Sequence, residues 1–168
     1  MDKKQITDEL VDNAKNLIED EEKNISIFDA VSKALENFDG KKITRRMETA
    51  VKNALSDYTV YYEKEYGMYR LFIWGKDIDY NRRLSVLLGY DETFCYYKFK
   101  NEHNTCYTEG APKRLAEAKS FIANPEKIDR IAETIIAYKK SQEEIRRVSD
   151  EIPGFYDVKE KLQIKIAY

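Results

Sequence analysis

The residues best suited to metal or thiol chemistry lie in FCYYKFKNEHNTCYTEG, residues 94–110, where Cys95, His103 and Cys106 are soft ligand types. His103 and Cys106 have a ligand-like spacing, but a structural zinc site takes four ligands and the chain has no second histidine or third cysteine. A thiol–imidazole nucleophile would need an oxyanion-forming motif, and none accompanies this pair. Asp77, Asp79 and Asn81 open like a calcium loop, yet Arg82 takes the glycine position and Leu88 that of the closing glutamate. Gly40 and Lys41 form the Gly-Lys pair of a phosphate loop, but Leu35 stands where its first glycine belongs and Lys42 where Ser or Thr belongs. No catalytic residue, metal or cofactor is therefore assigned. The carboxylates form no pair with a shared-site spacing, so an enzyme is the lesser expectation.

Two other groups of residues suit contact rather than catalysis. Ten of the thirteen tyrosines lie between Tyr58 and Tyr107, too many phenols for a small core to satisfy, so part of this set belongs on the surface. Tyr61, Tyr62, Tyr69, Tyr80 and Trp74, with Arg70 beside them, are the candidate protein-binding residues. Lys41, Lys42, Arg45 and Arg46 gather around the start of a helix, and Arg82 and Arg83 follow the polar turn at 76–81. Together these six are the candidate anion or nucleic-acid contacts. Residues 1–39 carry eleven acidic and five basic side chains, net −6, and residues 41–54 five basic and one acidic, net +4. Formal net charge is only −2, so the polarity is local.

The elements that must position these residues follow from periodicity. Ile6, Leu10, Ala14, Leu17 and Ile18 give an amphipathic helix over 4–22, with Glu19–Glu22 at its end, where the helix dipole disfavours them. Ser26 reads as the cap of a second helix ended by Gly40, and Thr44 as the cap of a third. Tyr58–Lys64 and Met68–Trp74 are strand-like runs joined through Gly67, a hairpin. In its second run Tyr69, Leu71 and Ile73 share one face and Met68, Arg70, Phe72 and Trp74 the other. Core on both sides is the expectation. Leu84–Gly89 suits a third strand, and 94–110 stays open between strand and helix. Pro112 starts a helix to about Ala123, and Asn124 and Pro125 introduce a longer one that reaches Val148 and packs its first half on the sheet. Its charged second half is expected to project or to meet another copy. Leu162, Ile164, Ile166 and Tyr168 alternate like a strand, whereas 155–162 also suits a helix.

The strings GKKITRRMETAVKNAL, YTVYY, YGMYRLFIWG and LLGYDE, within residues 38–110, resemble small uncharacterised proteins of Firmicutes phages and conjugative elements. That resemblance implies a mobile-element origin and action by binding host or phage machinery, as inhibitors of the anti-CRISPR kind do. It brings no site residue with it.

The expected fold is α+β: N-terminal helices, a small antiparallel sheet built on the central hairpin, and C-terminal helices packed on the sheet. At 168 residues one domain is expected, helical over 1–57, sheet over 58–110 and helical over 111–168. No run approaches the roughly 18 apolar residues of a membrane span, and MDKKQITDEL is not a secretory leader, so the expected location is cytoplasmic. The expected function is that of a non-enzymatic protein that occupies a protein partner. The alternative is a nucleic-acid-binding regulator using the cluster Lys41 to Arg46, although Tyr66 and Tyr69 depart from the RNA-recognition pattern around Gly67. Membrane partners are not expected, and a homo-oligomer through the long C-terminal helix is left open.

Overall fold

A computed structural model describes residues 2–137 and 142–164, without the side chains of 142–144. The fold is α+β, with helices on either side of a three-stranded antiparallel sheet in the chain order. The described chain groups into two compact units, one of Lys23–Pro112 and one of Met1–Glu22 with Lys113–Tyr168.

The first helix, α1, runs unbroken from Lys3 to Leu35. Two separate helices were expected, with Ser26 as a cap, but Ser26 is an interior helical residue. The reason is that no glycine or proline precedes Gly40, so nothing between Glu22 and Ser26 interrupts the hydrogen-bond ladder. At its start Asp2 and Gln5 exchange side-chain bonds to each other's backbone N–H, 2.8 and 3.0 Å, a capping box. Glu19–Glu22 accordingly sits in mid-helix rather than at an unfavourable end. Glu21 is buried and takes two bonds from Arg114, and Glu22 pairs with Lys119 at 3.2 Å. The helix ends at Leu35, a 3-10 turn covers Glu36–Phe38, and Gly40 follows in the turn with φ 75°.

In the unit Lys23–Pro112, α2 (Arg45–Ala54) begins at Thr44, whose hydroxyl accepts the Arg46 N–H as expected of a cap. Strands β1 (Thr59–Glu65), β2 (Met68–Trp74) and β3 (Leu84–Gly89) form the sheet in the order β1-β2-β3. Its core joins Ile27, Val31 and Leu35 of α1, Met47 and Val51 of α2, and Val60, Leu71, Ile73, Val86 and Leu88 of the sheet. The stretch 94–110, open between strand and helix in the sequence, is mostly helical from Tyr96 onward: a short α3 (Tyr96–Lys98) and two π-helical turns, Phe99–His103 and Cys106–Gly110. It brings Phe94 and Phe99 into this core, and Tyr107 stacks on Phe28 at 4.8 Å.

The other unit joins the first part of α1 to α4 (Ala111–Ile122), α5 (Pro125–Ala137), α6 (Gln142–Ser149) and α7 (Phe155–Lys161). Ile6, Leu10 and Ala14 share a core with Phe121, Ile128, Ile131, Ile145, Val148 and Val158, so the apolar face of α5, expected on the sheet, clusters instead with the first part of α1. The expectation that the segment around Ile145 projects is overturned, because Ile145 and Val148 are fully buried there. Four helices, not two, are described from Ala111 onward. The helical alternative holds at 155–161, and Leu162 and Ile164 are in no strand. The rest of the expected terminal strand, Ile166 and Tyr168, lies outside the described residues. At the α7 start Gly154 has φ 62°, and a Cβ there would meet Asn13 Nδ2 at 2.8 Å, so this turn requires glycine. Among the described residues no helix is long and apolar enough to cross a membrane.

Candidate interaction face of the sheet

The hairpin turn is two residues long, Tyr66 and Gly67, both left-handed with φ 52° and 71°. Such a turn matches strand twist and locks the register, which pairs Glu65 with Met68, Glu63 with Arg70, Tyr61 with Phe72 and Thr59 with Trp74. Because side chains alternate, those pairs share one face. Val60, Tyr62, Tyr69, Leu71 and Ile73 share the other.

Only the second face is core. Tyr69, Leu71 and Ile73 are buried whereas Arg70, Phe72 and Trp74 are half-buried and Tyr61 is 48% exposed. This corrects the expectation of core on both sides: the apolar residues of the end of α1 and of α2 cluster with Val60, Leu71 and Ile73, and of the outer-face residues of β1 and β2 Trp74 alone packs partly against that core. It also divides the six candidate contact residues. Tyr61, Arg70 and Trp74 share the outer face and Tyr80 joins them, while Tyr62 and Tyr69 face inward. Burial, and then the neighbouring Tyr69 phenol, raise the Tyr62 hydroxyl above the ordinary tyrosine value.

The turn after β2 completes the outer face. Asp79 caps a 3-10 turn, Tyr80–Arg82, by accepting the Asn81 N–H at 2.8 Å. Asp77 accepts the Tyr58 hydroxyl at 3.0 Å and pairs with Lys23 at 3.4 Å. The acidic residues with calcium-loop spacing are thus engaged in local structure. Tyr80 then meets Trp74 edge to face, centroids 5.2 Å apart. Arg83 stacks over Tyr80 at 4.4 Å and Phe72 at 5.2 Å and donates to the Tyr80 carbonyl at 3.1 Å. Arg70 lies over Phe72 at 5.1 Å, and pairs with Glu63 at 2.9 Å and Glu65 at 3.9 Å. The Arg70 Nε is buried without a hydrogen-bond partner. These groups line a shallow cleft of about 300 Å³. A guanidinium already held over rings has little freedom left to lose on binding, and the rings supply apolar contact. The arrangement can therefore anchor another surface.

Phe72 is the residue that sequence reasoning left out of the site, though its place in the alternation with Arg70 and Trp74 was readable. The basic candidates are distributed over different elements. Arg83 belongs to the outer face. Arg82 is exposed at the end of the 3-10 turn. Lys41 lies over Phe38 at 5.7 Å, Lys42 bridges to Thr93, and Arg45 and Arg46 are exposed in the first turn of α2.

Both edges of the sheet are closed by side chains. On β1, Glu48 Oε2 accepts the Tyr62 N–H at 2.6 Å. On β3, the buried Asn104 amide takes the Leu87 N–H at 3.2 Å and donates to the Leu87 carbonyl at 2.8 Å and the Phe99 carbonyl at 2.8 Å. Asn104 thus replaces a neighbouring strand, and neither edge is a free template at those positions.

Elsewhere, His103 meets Tyr90 edge to face at 5.3 Å, Cys95 is half-buried and Cys106 exposed. Among the described residues no three His, Cys, Asp or Glu side chains are grouped to hold a metal ion. A roomier hollow of about 710 Å³ in the other unit is lined by Arg114, Lys127 and Glu151 among others. Its cations have local partners, Arg114 with Glu21 at 2.9 Å and Lys127 with Glu151 at 4.0 Å. No protein-family model, no curated protein and no solved structure matches this chain.

Proposed function

We propose that this chain is a non-enzymatic binding protein that engages a protein partner through the outer face of its sheet. One observation carries the reading: exposed Tyr61 and Tyr80 and half-buried Phe72 and Trp74 form an aromatic surface on the outer face, with Arg83 and Arg70 both stacked on Phe72. Tyr, Trp and Arg dominate the energetics of protein interfaces, and rigid aromatics lose little entropy on contact. The resemblance to phage and conjugative-element proteins makes a host-defence component, inhibited by occupation in the cytoplasm, the partner class to test first.

The test is affinity capture of the tagged chain from a bacterial lysate with and without nuclease, repeated with Tyr61→Ala, Trp74→Ala and Tyr80→Ala variants checked for native circular dichroism. A specific protein retained after nuclease and weakened by about tenfold or more in the variants is expected. Retention unchanged in folded variants would place the contact elsewhere. The second reading, a nucleic-acid-binding regulator, draws on Lys41, Lys42, Arg45 and Arg46. All four are exposed, with no carboxylate at ion-pair distance among the described residues. Recovery of nucleic acid, with steep loss on raising salt, would favour it.

A further inference from the structure

We infer that the outer face of the sheet pairs with the same face of a second copy of this chain about a two-fold axis. The inference rests on reading this face as a contact surface, and it concerns what meets the face when no other partner is present.

The charges of the face form a row. Glu63 and Glu65 stand toward the hairpin turn, Arg70 is 2.9 Å from the first and 3.9 Å from the second, Phe72 comes next, and Arg83 lies beyond it over Tyr80. Two carboxylates share one guanidinium at the turn end. Among the described residues no carboxylate lies at ion-pair distance from Arg83 at the other. The row is neutral in sum, with one negative charge in excess at one end and one positive charge at the other. An acidic partner surface would satisfy Arg83 but meet Glu63 and Glu65, and a basic surface would do the reverse. A second copy turned by 180° about an axis near Phe72 lays each Arg83 against the other's Glu65, twice over, with the aromatic rings between them. The face is complementary to itself.

Three strands make a patch roughly 15 by 20 Å, about 600 Å² over the two copies and below the roughly 1,200 Å² of stable complexes, so a weak, transient association in the range of about 100 µM to 1 mM is expected. The test is sedimentation velocity of the full chain from about 10 µM to about 1 mM. Monomer giving way to dimer is expected, less readily at high salt. Arg83→Glu and Glu65→Arg should each lower the association constant by about tenfold or more, and the double reversal should restore it to within about threefold. A chain that stays monomeric at the highest concentration, or a dimer indifferent to the single reversals or unrestored by the double one, would overturn the inference. A monomer would leave the protein-partner reading intact, since capture from lysate tests that separately.

Discussion

Glu48 shows how far a single side chain can act beyond its own helix. It pairs with Lys52 at 2.9 Å along α2 and accepts the edge N–H of Tyr62. Burial works against its charge, but the bonds from Lys52 and Tyr62 outweigh it and hold the carboxyl below the ordinary glutamate value. A group with a depressed native pKa contributes stability above its unfolded pKa and loses it as pH falls through the native one. Glu48→Gln should therefore cost about 1 kcal/mol at pH 7, and the gap to the wild type should close in acid, as urea unfolding at neutral and acidic pH would measure. A gap constant with pH would mean that the charge contributes nothing. At this scale the sequence was legible where alternation governs, as at Tyr69, Leu71 and Ile73. It was not legible for Tyr61 against Tyr62, because which side of a strand becomes core is decided by helices elsewhere in the chain.

Among the elements, β3 is the one whose edge depends on a residue 17 positions away in sequence. Asn104 supplies an acceptor and donors in the geometry of a peptide group, buried from water. Asn104→Ala strands the Leu87 N–H and two carbonyls and should cost about 2–4 kcal/mol. Asn104→Asp should do no better, since a carboxylate offers no donor to the carbonyls of Leu87 and Phe99. Thermal unfolding would measure the loss, and faster hydrogen exchange at Leu87 would locate it. Nothing in the aromatic, turn-rich string around Asn104 pointed to this role, since no period accompanies a π-helical turn. The hairpin and β3, by contrast, were readable from strand-forming runs and Gly67. The division expected inside α1 came from giving Ser26 the weight of a cap when no helix breaker stood beside it.

At the scale of the whole molecule, the two cores are drawn from different segments. Every residue of the core beneath the sheet lies within Lys23–Pro112, a continuous stretch. A fragment of residues 23–112 should therefore fold alone and keep the sheet, with dispersed amide resonances and cooperative melting. A fragment without a cooperative transition would show that this core needs the rest of the chain. The helical content was legible at both ends, because apolar periodicity is a local property. Which helices share a core was not, because that depends on residues more than a hundred positions apart joining one cluster, as Leu10 and Ile131 do. The continuity of α1 has a temporal consequence on the ribosome. Ile6, Leu10 and Ala14 emerge well before their partners, which begin at Phe121, and at about 5–20 residues per second the nascent chain carries that apolar stripe unpartnered for roughly 5–25 s. Within that interval the sheet-bearing segment, Lys23–Pro112, is completed, so the stripe of α1 finds its core only after the sheet has the whole of its own, and it is this stripe that a chaperone would meet.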